Sequence, residues 1–141
     1  MKVIIAGTRN FPGTLDHLKK VIKEARLHAS LRMESIVSGG ATGVDKLGEE
    51  WAREKCKVCK VFVADWNKYG ASAGPIRNNA MVEYAGGAIF IWSGASRGTK
   101  HCIDSAVRSK LKVFVKTYSV VEGEVVFDPG FTLYDMGKQI K

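Results

Sequence analysis

No stretch of this chain stays apolar for anything near the ~20 residues a membrane-spanning helix needs, and Val3-Ile4-Ile5-Ala6, stopped by Gly7, is too short for a signal-peptide core. The expectation is a cytoplasmic protein with no membrane partner. Cysteine is scarce and odd in number, with only Cys56, Cys59 and Cys102, which argues against a disulfide framework. Cys56 and Cys59 form a lone CxxC, and no second pair or spaced histidines complete the four ligands of structural zinc. The pair lies between a helix end and a strand, not at a helix start where the dipole would activate a thiol. Packing cysteines are expected, with no metal and no cofactor. Repeats, low-complexity segments and linkers are also lacking, so the 141 residues read as one domain.

Positive charge, by contrast, is in excess. Lys and Arg number 22 against 14 Asp and Glu, a net +8, which favours an anionic ligand over a cationic one. Lys19, Lys20, Lys23 and Arg26 read as the solvated side of the first helix. The more informative basic residues sit in glycine-rich loops.

Val3 to Ala6 reads as a buried strand ending at Gly7. Thr14 can cap a helix that keeps Leu15, Leu18, Ile22, Ala25 and Ala29 on one face. Ser35 to Ser38 forms a second strand. Thr42 with Asp45 resembles a capping box opening a helix with Val44, Leu47, Gly48, Trp51 and Ala52 inward. Lys57 to Ala64 reads as a third strand, and Asp65 to Pro75 as a long loop whose length invites a functional explanation. Pro75 suits the first turn of a helix through Tyr84. Ala88 to Trp92, a helix with Thr99, Cys102, Ile103, Ala106 and Val107 inward, and Leu111 to Val115 complete the pattern.

This alternation predicts an α/β fold: a single Rossmann-like domain with a mostly parallel five-stranded sheet, right-handed crossovers and helices on both faces. Residues 1–116 would form the Rossmann-like unit. Residues 117–141 would be a C-terminal extension of the same domain, with a hairpin around Glu122-Gly123.

Ligands of open parallel sheets bind beyond the carboxyl ends of the strands, where strand order reverses. Three glycine-rich segments fall there: Gly7-Thr8-Arg9, Ser38-Gly39-Gly40-Ala41-Thr42-Gly43, and Ser93-Gly94-Ala95-Ser96-Arg97-Gly98-Thr99. Glycine lets the backbone approach a phosphate, hydroxyls donate to it, and the helix starts that follow supply free N–H groups. Arg9 and Arg97 add charge that can pair bidentately with phosphate. The candidate phosphate-binding residues are therefore Gly7, Thr8, Arg9, Ser38, Gly39, Gly40, Thr42, Gly43, Ser96, Arg97, Gly98 and Thr99. The simpler alternative, glycines that only make tight turns, is weakened by there being three such loops. Two familiar nucleotide motifs are excluded: GASRGTK at Gly94 to Lys100 is one residue short of a P-loop and lacks its Lys-Ser/Thr ending, and no G-x-G-x-x-G follows a strand.

The segments Val3 to Phe11, Ile36 to Asp45, Ala64 to Trp66, Gly74 to Asn78 and Ser96 to Lys100, taken in order, resemble the YspA/YpsA-related branch of the SLOG superfamily. Relatives in that superfamily include the LOG phosphoribohydrolases and DprA. The resemblance covers roughly residues 2–116 and implies a Rossmannoid fold, a nucleotide-type small-molecule ligand and, from its relatives, a homodimer. The LOG enzymes cleave an N-glycosidic bond with an Arg and a Glu. Arg77, in Arg77-Asn78-Asn79-Ala80-Met81, resembles the first, but Cys102 stands where the Glu would be. A buried thiol does not replace a carboxylate in such chemistry, so LOG-type catalysis is not implied.

Other carboxylates could take over. Asp45 lies beside the phosphate loops, with satisfying backbone N–H groups as its structural alternative, and Asp65 ends the third strand. Trp66 and Tyr69 could stack on a base or simply pack their loop. His17, His28 and His101 are expected on exposed helix surface. The leading expectation is binding of a nucleotide or derivative for sensing or sequestration. Hydrolysis of an N-glycosidic or phosphate bond, with Asp45, Asp65 and Arg77, comes second. Single-stranded nucleic acid, suggested by the charge and the DprA relationship, comes third because no continuous basic-aromatic stripe is present.

Overall fold

The computed structural model describes residues 1–141. Five parallel strands run in the order β3 (Val58–Val61), β2 (Ser35–Ser38), β1 (Lys2–Gly7), β4 (Gly87–Trp92) and β5 (Lys112–Val121). β1 and β4 lie at the centre with helices on both sides, which is why they are continuous apolar runs and not alternating ones. Successive side chains go to opposite faces. Val3, Ile5, Ile89 and Ile91 pack under α1 (Leu15–Ala29) and α2 (Val44–Glu54). Ile4, Ala6, Ala88 and Phe90 pack under two later helices, α4 (Ala73–Tyr84) and α5 (Arg97–Arg108).

This division follows from handedness. Each crossover is expected to be right-handed, so the chain first builds away from β1 through β2 and β3, then crosses back to β4 and β5 with its helices on the other face. The reversal falls between β1 and β4, whose carboxyl ends open a crevice.

Several elements differ from expectation. β3 is shorter than predicted, four residues at the sheet edge, extended by one further hydrogen bond from Phe62 N to the Ser38 carbonyl. The segment from Asp65 is not a loop throughout. It holds the one-turn helix α3 (Trp66–Tyr69) and a 3-10 turn over Gly70–Ser72 that runs into α4. Asp65 caps α3 by accepting from Lys68 N at 3.1 Å, and a single turn is too short to show a periodicity in sequence. The capping box at Thr42 is also absent: α2 starts after Gly43, at φ 75°, and the Thr42 hydroxyl donates instead to the Arg9 carbonyl at 3.2 Å.

The extension belongs to the main sheet. β5 outruns its pairing with β4 and turns at Glu122-Gly123, with φ of 52° and 80°, into β6 (Glu124–Phe127). Positive φ at both turn residues matches the twist of a two-residue hairpin. β7 (Thr132–Asp135) then returns against the first half of β5, and β8 (Lys138–Gln139) pairs with it. No helix is long and apolar enough to cross a membrane.

Candidate functional site

The three glycine-rich loops meet at the crevice and are tied to one another by hydrogen bonds. Thr8 Oγ1 accepts from Ser93 N at 3.0 Å, joining the first loop to the third. Between the first and second, a Cβ on Gly43 would run into the carbonyls of Thr8 and Arg9, so only glycine allows this approach at its positive φ. Asp45 completes the junction, its carboxylate accepting from Gly7 N and Ala41 N, both at 3.3 Å.

Arg77 reaches the same place from α4. Its Nη1 donates to the Gly39 carbonyl at 2.5 Å and its Nε to Asn78 Oδ1 at 2.9 Å. Asn78, almost fully buried, passes the connection on from its Nδ2 to the Gly98 carbonyl at 3.3 Å. A Cβ on Gly39 would fall 2.8 Å from both Arg77 Nη1 and Asp45 Oδ2, so the guanidinium and the carboxylate lie against bare backbone.

Two adjoining cavities result. The deeper, about 180 Å³, is lined by Gly7, Arg9, Asp45, Asn78, Met81 and Cys102, with Ser96, Gly98 and Thr99 from the start of α5. The shallower, about 300 Å³, shares Arg9, Ala41 and Arg77 with it and adds Gly39, Gly40, Thr42, Val63, Ala64 and Trp66. The Arg9 guanidinium sits over the Trp66 ring, 5.5 Å from its centre.

The electrostatics are asymmetric. Burial, opposed by the Ala41 N–H, the Arg77 charge and the Gly7 N–H, raises Asp45 to about 6, and no cation lies within ion-pair distance of its carboxylate. Cys102 is pushed up to about 12 by burial and then by the charge of Asp45, so it remains a neutral thiol. No group of three His, Cys, Asp or Glu side chains is placed to hold a metal.

The structure thus brings together Gly7, Arg9, Gly39, Gly40, Thr42, Asp45, Trp66, Arg77, Ser96, Gly98 and Thr99. It leaves others out. The hydroxyls of Thr8 and Ser38 are buried and used internally, that of Ser38 donating to Glu49 at 2.6 Å. Gly43 packs against the carbonyls of Thr8 and Arg9 and lines neither cavity, and Arg97 is exposed and likewise lines neither. Asp65 is a helix cap. Tyr69 borders an adjoining hollow with Phe62 and Ile76, which shares Val63, Ala64 and Arg77 with the shallower cavity. His101 is half-buried, not exposed, with Nδ1 3.2 Å from Asn78 Nδ2. Sequence reasoning missed Asn78 as a connecting residue, although it directly follows Arg77 in the motif that ends at Asn78.

These features define a Rossmann-like domain whose loops enclose a polar crevice at the point where strand order reverses. The model of the YspA, cpYpsA-related SLOG family matches residues 1–69. The chain is also 30% identical over 118 residues to the Gene 61 protein of Mycobacterium phage D29, an alignment covering 79% of this chain and 93% of the phage protein. The chain belongs to the SLOG family. The matched segment contains the first two loops, Asp45 and Trp66.

Proposed function

We propose that the crevice binds a nucleotide or a nucleotide-derived ligand, for sensing or sequestration. The observation that carries this reading is the convergence of Arg9, Arg77 and the start of α5 on adjoining cavities at the switch point. The start of α5 turns the N–H groups of Arg97 and Gly98 toward a phosphate, with Ser96 capping the helix by accepting from Thr99 N at 3.5 Å and sharing one hydroxyl bond with Thr99 at 3.1 Å, while the two guanidiniums supply charge. The family supports a nucleotide-related ligand. The deeper cavity alone falls below the ~300 Å³ of ordinary small-molecule sites, and the two together reach it. Titration calorimetry with ribonucleotides, ADP-ribose and the matching nucleosides tests the reading. Phosphorylated compounds should bind at least about tenfold tighter than their nucleosides; absence of binding across the series would refute it.

A second reading, hydrolysis of an N-glycosidic bond, is favoured by one observation. Asp45 lines the cavity, and burial raises its carboxyl to about 6, toward the range that suits a general acid-base group. Release of free base from the same compounds, abolished in Asp45→Asn, would support it, and no release by the wild type would remove it.

A further inference from the structure

Asp45 presents a feature that phosphate binding does not use. Its side chain is almost completely buried and lines the deeper cavity, yet it has no ion-pair partner. Each carboxylate oxygen takes one long backbone hydrogen bond, from Gly7 N and from Ala41 N. A carboxylate oxygen accepts more than one hydrogen bond, so both retain acceptor capacity. A buried carboxylate left under-satisfied in a cavity marks a place where a ligand completes the bonding.

The neighbouring groups decide what that ligand portion is. Arg9 and Arg77 line the same cavity and oppose a cationic group. A metal would need further acidic ligands, and the nearest carboxylate on α2, Glu49, is engaged by Ser38 at 2.6 Å and by Lys46 at 3.5 Å. A phosphate placed on Asp45 would meet like charge. A neutral group with two adjacent hydroxyl donors meets none of these objections, since each hydroxyl can donate to one carboxylate oxygen.

Resting on the nucleotide reading above, we propose that Asp45 receives the vicinal 2′- and 3′-hydroxyls of a ribose, making it the residue that selects ribonucleotides over deoxyribonucleotides. The sugar occupies the deeper cavity, and the phosphate lies toward Ser96 and Gly98. The base then falls in the shallower cavity against Trp66, Val63 and Ala64. Trp66 and these small apolar side chains offer a stacking surface but few groups to read base edges, so discrimination resides in the sugar and much less in the base.

The test is competition binding with AMP, GMP, CMP and UMP, their 2′-deoxy counterparts, and 3′-deoxy AMP. The expected result is a loss of about tenfold or more on removing either hydroxyl, with a much smaller spread among the four bases. In Asp45→Asn, which keeps the side-chain shape, the ribose preference should shrink toward unity while phosphate-dependent binding persists. Should that variant not fold, the wild-type comparison of ribo and deoxy ligands still decides. If nucleotides bind but deoxy and ribo forms bind equally, this assignment is overturned and the nucleotide reading stands. If no nucleotide binds, the nucleotide reading itself fails.

Discussion

Two charged side chains are buried in this domain, at opposite parts of the sheet, and their surroundings differ. Lys116 on β5 lies 2.9 Å from a Glu24 carboxylate oxygen on α1 and donates to the Gly130 carbonyl at 2.7 Å. It joins the first helix to the C-terminal extension with its charge already matched. Asp45 is buried to a similar degree, but only backbone N–H groups meet it, and it borders a cavity. Burial of a charge therefore does not by itself indicate function. The distinction lies in whether an ion-pair partner is in contact, which Lys116 has in Glu24 and Asp45 lacks, the Arg77 charge acting on it only from beyond ion-pair distance.

Substitutions at the two regions should separate accordingly. The largest effect is expected at Arg77, where replacement by Met removes a guanidinium between the two cavities. Nucleotide affinity should fall about 100-fold, nearly 3 kcal/mol, while Arg77→Lys, which keeps charge but not the planar fork, should recover only part of it. Calorimetry measures both. An unchanged affinity in Arg77→Met would erase the contrast between the regions.

Lys116→Met should do the reverse, costing about 2 kcal/mol of stability and leaving ligand affinity intact. This is below the ~3–5 kcal/mol of breaking a fully buried pair, because the Glu24 side chain retains 30% of its exposure. Denaturant midpoints read the stability term. A matching loss of affinity would mean that the extension and the crevice are coupled.

The Asp45 contrast has a pH signature. Its carboxyl stands at about 6 in the folded protein against a reference of 3.8, so between these values the folded state holds a proton that the unfolded chain has released. Stability from this group is therefore greatest below pH 4, falls as pH rises through 4 to 6, and stays lower above. Asp45→Asn cannot ionise. It should gain about 1 kcal/mol over the wild type at pH 8, because its amide oxygen accepts from only one of the Gly7 and Ala41 N–H groups and its amide nitrogen accepts from neither, and it should lose about 1–2 kcal/mol at pH 4. Thermal midpoints at the two pH values check this. The smallest effect belongs to Arg97→Ala, with less than about a threefold change in affinity, because exposed charge outside the cavities is screened.

The sheet was legible because its central strands are buried on both faces. Val3 to Ala6 and Ala88 to Ile91 could belong to little else, and the stripe on α1 fixed which side packs. The three loops were legible for a related reason, since glycines and hydroxyls following such strands fall where strand order reverses. What composition could not show is where a hydroxyl or guanidinium spends its hydrogen bonds. Thr8 and Ser38 look like phosphate donors in sequence but bond inward across loops. Arg97 looks equivalent to Arg9, yet as the first residue of α5 it is exposed and lines neither cavity. The final hairpin was hidden because β7 and β8 are only four and two residues long and β7 pairs with Val113 to Val115 of β5, well apart from it in sequence.

The proposed ligand enters where the three loops meet and nowhere near the extension. Backbone amide chemical shifts, followed during titration with the tightest-binding ribonucleotide, test it most directly. The largest changes are predicted at Gly7, Ala41 and Gly98, with Gly130, Leu133 and Tyr134 unmoved. Changes centred on the extension, or spread along the basic helix surface with the crevice silent, would contradict it.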